Sequence, residues 1–152
     1  MSTVARDVRA DLDDVWAVLS DATTYGDWVV GTSRTEPLDA AFPAPHSRLR
    51  YQVLRRPLAV RGETEILELD RPRTVLMEAK APPLGTIHIR ISTTATTNGD
   101  THVAIEEHPR TGPVRWAHNP VLDLLVAARN KETLRRLARL AEQRRAQGGR
   151  QA

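Results

Sequence analysis

Four polar side chains in this 152-residue chain fall where periodicity turns them inward: Tyr51, Glu107, Asp123 and Asn130. Asp123 and Asn130 lie two turns apart on one helical face, at about 3.6 residues per turn. A carboxylate taken out of water has its pKa raised and can then act as a base. A tyrosine adds a hydroxyl donor on an apolar body. A base and a donor in an apolar surround make an acid–base site. Each residue also has a plainer reading. Asp123 can satisfy the dipole of a helix N-terminus, Asn130 can be a core amide bonded to a strand or loop, and Tyr51 can pack a wall. Glu107 points inward in one strand register and outward if a bulge intervenes.

Other chemistries find less support. His88 alternates with isoleucines and His102 with valine, so both are expected to face solvent. His46 sits in a Pro-rich loop, and His108 and His118 stand near strand and helix ends. No histidine pair has i, i+2 strand or i, i+4 helix spacing with a carboxylate to complete a metal site. No nucleophile elbow, phosphate-cradling glycine loop or dinucleotide fingerprint occurs. Neither metal nor cofactor is expected. Of the large apolar groups, Trp16 belongs to a helix face, while Trp28, Phe42 and Trp116 sit at loop junctions, as core packing or as the mouth of a cavity.

The elements that would position these residues can be read in turn. Thr3 to Ala10 reads as a strand with Val4 and Val8 on one face. Asp11 is an N-cap with Asp14 in the capping-box position, and Leu12, Val15, Trp16 and Leu19 form one helical face. Segments 48–55, 60–66, 74–80 and 86–93 alternate apolar and polar residues, punctuated by Pro and Gly clusters. They predict an antiparallel meander with one apolar and one wet face. A three-residue loop, Asn98 to Asp100, would pair Thr93 with Ile105 and Ala95 with Val103, and turn Glu107 inward opposite Ile91. Asn119-Pro120 then starts a helix running to about Arg145, before Gly148-Gly149. Its stripe of Leu134, Leu137 and Ala141 extends back through Asn130, Ala127 and Val126 to Asp123. Leu124, Leu125 and Ala128 point off that stripe, toward the Phe42–Pro45 loop or a homodimer contact.

The length predicts one domain over residues 1–145, followed by a disordered basic tail at 146–152. With no cysteine, disulfides and thiolate metal sites are excluded. With no long apolar run or leader pattern, a cytoplasmic protein without membrane insertion is expected. The net charge of +3 raises a nucleic-acid reading, but 20 of the 22 basic residues are Arg, which looks like genome composition. Eight of the basic residues follow from Arg129 onward, against Glu132 and Glu142. That pattern is read as a solvated helix face; a partner-binding patch is its alternative.

Strand, two short helices, six strands and a long C-terminal helix is the order of the helix-grip fold. The segment Ala10-Asp11, Val15-Trp16, Tyr25 and Trp28 resembles the opening of the START-like, polyketide cyclase/Bet v 1-type (SRPBCC) superfamily. The likeness continues through Asp70-Arg71-Pro72-Arg73, Asn98-Gly99 and 129–134. One departure is Asp11, where Pro is common. The resemblance implies an α+β fold, with a curved seven-stranded antiparallel sheet around the last helix and a cavity for an apolar ligand. It also implies one of two activities: binding or carrying lipid- or polyketide-like molecules, or cyclising and dehydrating polyketides. Binding is the leading expectation. Its wall residues would be Trp28, Tyr51, Met77, Ile89, Ile91, Val126 and Asn130. A cyclase must remove a proton beside a carbonyl and stabilise the enolate, and Asp123 and Glu107 are the candidate catalytic acids for it.

Overall fold

The computed structural model describes residues 2–53, 57, 59–113, 116 and 119–151. The expected strand end at 54–55 and His118 lie outside them. Strand β1 (Ser2–Val8) leads into α1 (Leu12–Leu19), a 3-10 turn (Ala22–Thr24) and the single turn α2 (Tyr25–Trp28). Six strands follow: β2 (Thr32–Pro37), β3 (Arg48–Val53), β4 (Val60–Asp70), β5 (Thr74–Ala81), β6 (Gly85–Ala95) and β7 (Thr101–Thr111). Helix α3 (Pro120–Gln151) ends the chain. The strands form one antiparallel sheet in the order β1-β7-β6-β5-β4-β3-β2, so a meander closes by bringing β1 back beside β7. This is the helix-grip arrangement.

Local chemistry accounts for the elements. Asp11 caps α1 by accepting from the Asp14 backbone N–H at 2.9 Å. Asn119 caps α3 by accepting from the Val121 N–H, also at 2.9 Å. On β7, Thr101, Val103, Ile105 and Glu107 are buried while their neighbours are not, the period-two pattern of a one-sided sheet. The Trp16 indole N–H donates to the Pro72 carbonyl and to Thr93 Oγ1, each at 2.9 Å, tying α1 to the sheet. Leu134, Leu137, Ala138 and Ala141 of α3 are buried where the helix lies against β1 and α1. Each buried leucine there stabilises the fold by about 1.5–3 kcal/mol.

Several expectations need correction. Strand β2 supplies the sixth of the strands expected after the helices, although TSRTEP has no apolar alternation by which to place it. Strand β4 runs on to Asp70 through a bulge after Ile66. In the β6–β7 hairpin Thr93 pairs with Val103, Ala95 with Thr101 and Ile89 with Glu107, two residues from the expected register. The longer loop is closed by Thr96 N–H donating to the Asp100 carbonyl at 2.9 Å, with Gly99 at φ +83°. A slip of two preserves the facing of every side chain, so Glu107 still points inward. Helix α3 passes through Gly148 and Gly149 to Gln151, beyond the expected stop near Arg145. Mid-helix glycine costs only about 1 kcal/mol relative to alanine, which discourages a helix without ending it. The Phe42 loop does not cover Leu124 and Leu125. Phe42 packs edge-on against Tyr25 at 5.7 Å, and both leucines are exposed.

Candidate functional site

The inner face of the sheet changes character along its length. At the end bearing α1, Val75, Met77, Ile91, Val103 and Ile105 are buried. Toward the other end, Val53, Val60, Ala79, Ala81, Ile87 and Ile89 are only half-buried, although they share that face. Helix α3 explains the difference. Its C-terminal part is anchored by the buried stripe and by Arg145 against Asp100 at 3.2 Å, beside the β6–β7 loop. Its first turns lie at the opposite end, where Val121, Leu124 and Leu125 are 63, 70 and 61 % exposed. The helix therefore seals one end of the curved sheet and leaves the other open.

Between the sealed and open ends lies a polar cluster. The Arg129 Nη2 donates to Glu107 Oε1 across the gap between α3 and β7. Arg129 Nε and Nη2 also donate to the Asn130 carboxamide oxygen, at 3.2 and 2.9 Å. The Glu107 side chain is 8 % exposed and that of Arg129 39 %, so the pair spans from a dry wall to a wetter one. Asn130 is buried, yet its Nδ2 has no acceptor among the described residues, and neither has the buried indole Nε1 of Trp28. Buried donors are ordinarily satisfied; Ser2 and Ser20 Oγ are unpartnered as well, and a donor of this kind suits an acceptor carried in by a guest. Burial pushes the Tyr51 hydroxyl above its ordinary range, and the positive charge of Arg129 pulls the other way, which places Tyr51 within the electrostatic reach of the cluster.

The site residues expected from sequence divide accordingly. Glu107 and Asn130 come together through Arg129, with Tyr51 in its field. Trp28, Met77 and Ile91 are buried in the core, with Ile89 and Tyr51 packed against it, and Val126 is half-buried on α3. Trp28 packs against Tyr25 with ring centroids 4.7 Å apart and planes tilted by 54°, and the Tyr25 hydroxyl donates to the Leu19 carbonyl at 2.8 Å. Asp123 does not join them. It is exposed in the first turn of α3, ahead of the point where the inward stripe meets the sheet. Arg129 is not among the expected site residues, because in the sequence it reads with the solvated basic face; its position next to inward Asn130 is the available signal.

Two surface clefts flank the sheet. One of about 520 Å³ borders Tyr51, Thr35 and Gly26 with a charged rim that includes Arg34, Arg50 and Arg61. The other, about 440 Å³, lies over Glu78, His88 and Arg110 on the outer face. There His88 and Lys80 contact the Glu78 carboxylate and hold it below its usual range, against the opposing effect of burial. Among the described residues no group of three or more His, Cys, Asp or Glu side chains is placed to hold a metal ion. No described helix is long and apolar enough to cross a membrane.

Comparison with known proteins agrees with this fold. Among curated proteins nothing matches the chain. An aromatase/cyclase, Zhui from Streptomyces sp. R1128, has the same fold at 20 % identity and a TM-score of 0.68, with 93 % of each chain covered. A START superfamily protein from Mycobacterium smegmatis superposes with a TM-score of 0.71 at 16 % identity, over 93 % of this chain and 96 % of that one. A protein from Nitrosomonas europaea reaches 0.72 at 16 % identity, over 95 % of each chain. Residues 2–142 match the family described as polyketide cyclase / dehydrase and lipid transport, and the chain belongs to that family.

Proposed function

We propose that the protein binds a small hydrophobic or aromatic molecule between the open end of the sheet and the first half of α3. The observation that carries this reading is the pairing of an incompletely filled apolar face with two buried, unpartnered donors, Asn130 Nδ2 and Trp28 Nε1. The half-buried isoleucines, alanines and valines would take the apolar body of the guest. The donors would take polar acceptors on the guest, which is how small-molecule sites combine affinity with orientation. Native mass spectrometry of protein purified from its own host tests the reading. A co-purifying apolar ligand of fixed mass is the expected result, and protein that stays ligand-free and takes up no apolar molecule would contradict it.

A cyclase or dehydratase is the second reading, favoured by the buried Glu107 and the Arg129 that contacts it. Arg129 would stabilise a developing enolate oxygen, while the Tyr51 hydroxyl is already donated to the Lys80 carbonyl. Glu107, already engaged by Arg129, would orient that guanidinium and take up a proton only as the pair loosens. Asp123, exposed on the helix, has no part in this scheme. Turnover of a poly-keto substrate that survives unchanged in both Glu107→Gln and Arg129→Met would rule the scheme out.

A further inference from the structure

Tyr51 does not simply stand up from the sheet. From β3 its side chain crosses Gly62 on β4, and its hydroxyl donates to the Lys80 carbonyl on β5 at 3.2 Å. Gly62 permits this. A Cβ at that position would lie 2.4 Å from the Tyr51 Cζ and 2.5 Å from the Lys80 oxygen, closer than real contacts allow. Glycine inside a strand weakens it and marks a place where something must approach closely; here the approaching group is the tyrosine ring. The inner-face neighbours on β4 and β5 are small as well: Thr64 pairs with Ala79, and Ala81 follows on the same face. A tyrosine serving only to fill the core would be covered. Tyr51 is instead only half-buried, packed against the margin of the core.

We infer that Gly62 and Tyr51 form a shape-selecting pair: the ring, laid low across β4, is an aromatic shelf on which a flat ring system rests in preference to a flexible chain. The inference rests on the reading that this interior holds an apolar molecule. Small residues beside the shelf leave depth for a rigid planar body, and a ring face offers stacking that a chain cannot match. Tyr51 acts here as a specificity residue, and Gly62 acts through it.

Two neutral probes of similar size separate the possibilities by titration calorimetry: 2-methyl-1,4-naphthoquinone, planar, and methyl decanoate, flexible. With no cysteine in the chain, the quinone has no thiol to alkylate. The expected result is tighter binding of the quinone by wild type. Gly62→Ala and Tyr51→Leu should each weaken quinone binding by about three- to tenfold while changing methyl decanoate less than about twofold. Tyr51→Phe, which keeps the ring, should retain the preference. If Gly62→Ala does not fold, Tyr51→Leu carries the test alone. Should methyl decanoate bind as well as the quinone, or Tyr51→Leu weaken both probes equally or neither, the shelf is refuted while the binding reading stands. If neither probe binds wild type, the binding reading fails and the shelf falls with it.

Discussion

Glu107 and Arg129 are unequal partners, and that inequality is measurable. Replacing Arg129 by Met leaves a carboxylate on a wall only 8 % exposed, without its counter-charge. Unpaired buried charge is costly, so urea denaturation should show a loss of about 2–3 kcal/mol, with water reaching the Arg129 side keeping it below the full cost of a sealed pair. Glu107→Gln should cost about 1 kcal/mol, because Arg129 can turn to solvent. The inward direction of Glu107 was legible from strand alternation and survived a register error of two, since facing depends only on parity. Its partner was not legible: an arginine in a basic helix looks solvated until the strand opposite it is known. The two tyrosines give a second test. Burial pushes Tyr25 far above its ordinary value and Tyr51 upward despite Arg129. A phenol whose folded pKa is raised contributes stability that is complete below about pH 10, its unfolded value, and lost as pH rises through the folded one. Stability should therefore decline above about pH 10, and tyrosinate absorbance should show neither tyrosine half-ionised there. Ordinary titration of both in the native protein would contradict the burial described.

At the scale of elements, α3 behaves as two helices joined end to end. Leu137 is fully buried where α3 packs on β1 and α1, so Leu137→Ala should cost about 2–5 kcal/mol by denaturant unfolding. Leu124, 70 % exposed, should tolerate alanine within about 0.5 kcal/mol. Similar losses at both positions would mean that the first turns of α3 are packed and the open end is closed. Helical periodicity correctly gives the buried stripe from Ala141 back to Asn130; Val126 and Ala127, which it puts on the same stripe, are half-buried. It failed at Asp123 because periodicity fixes the face a residue occupies, while burial needs a surface opposite that face. Strand β2 was hidden for a related reason. As an edge strand with mixed exposure, it carries no alternation to read. The capped starts of α1 and α3 were legible because a cap is a local bond between near neighbours.

For the whole molecule, the sheet and α3 pack tightly at one end around Trp16, Leu134 and Leu137 and leave Val121, Leu124 and Leu125 exposed at the other. Family membership over residues 2–142 fits a container that holds an apolar guest. The most direct test uses two of the unpartnered buried donors, those with resolvable N–H signals, as reporters. In a 15N–1H correlation spectrum, titration with a small apolar ligand bearing a carbonyl should shift the Asn130 side-chain amide and the Trp28 indole N–H together. The Trp16 indole, already bonded to Pro72 and Thr93, should stay in place as an internal control. Shifts confined to Arg34, Arg50 and Arg61 at the rim of the surface cleft would contradict an interior binding site, as would saturation of the protein with no movement at Asn130 and Trp28.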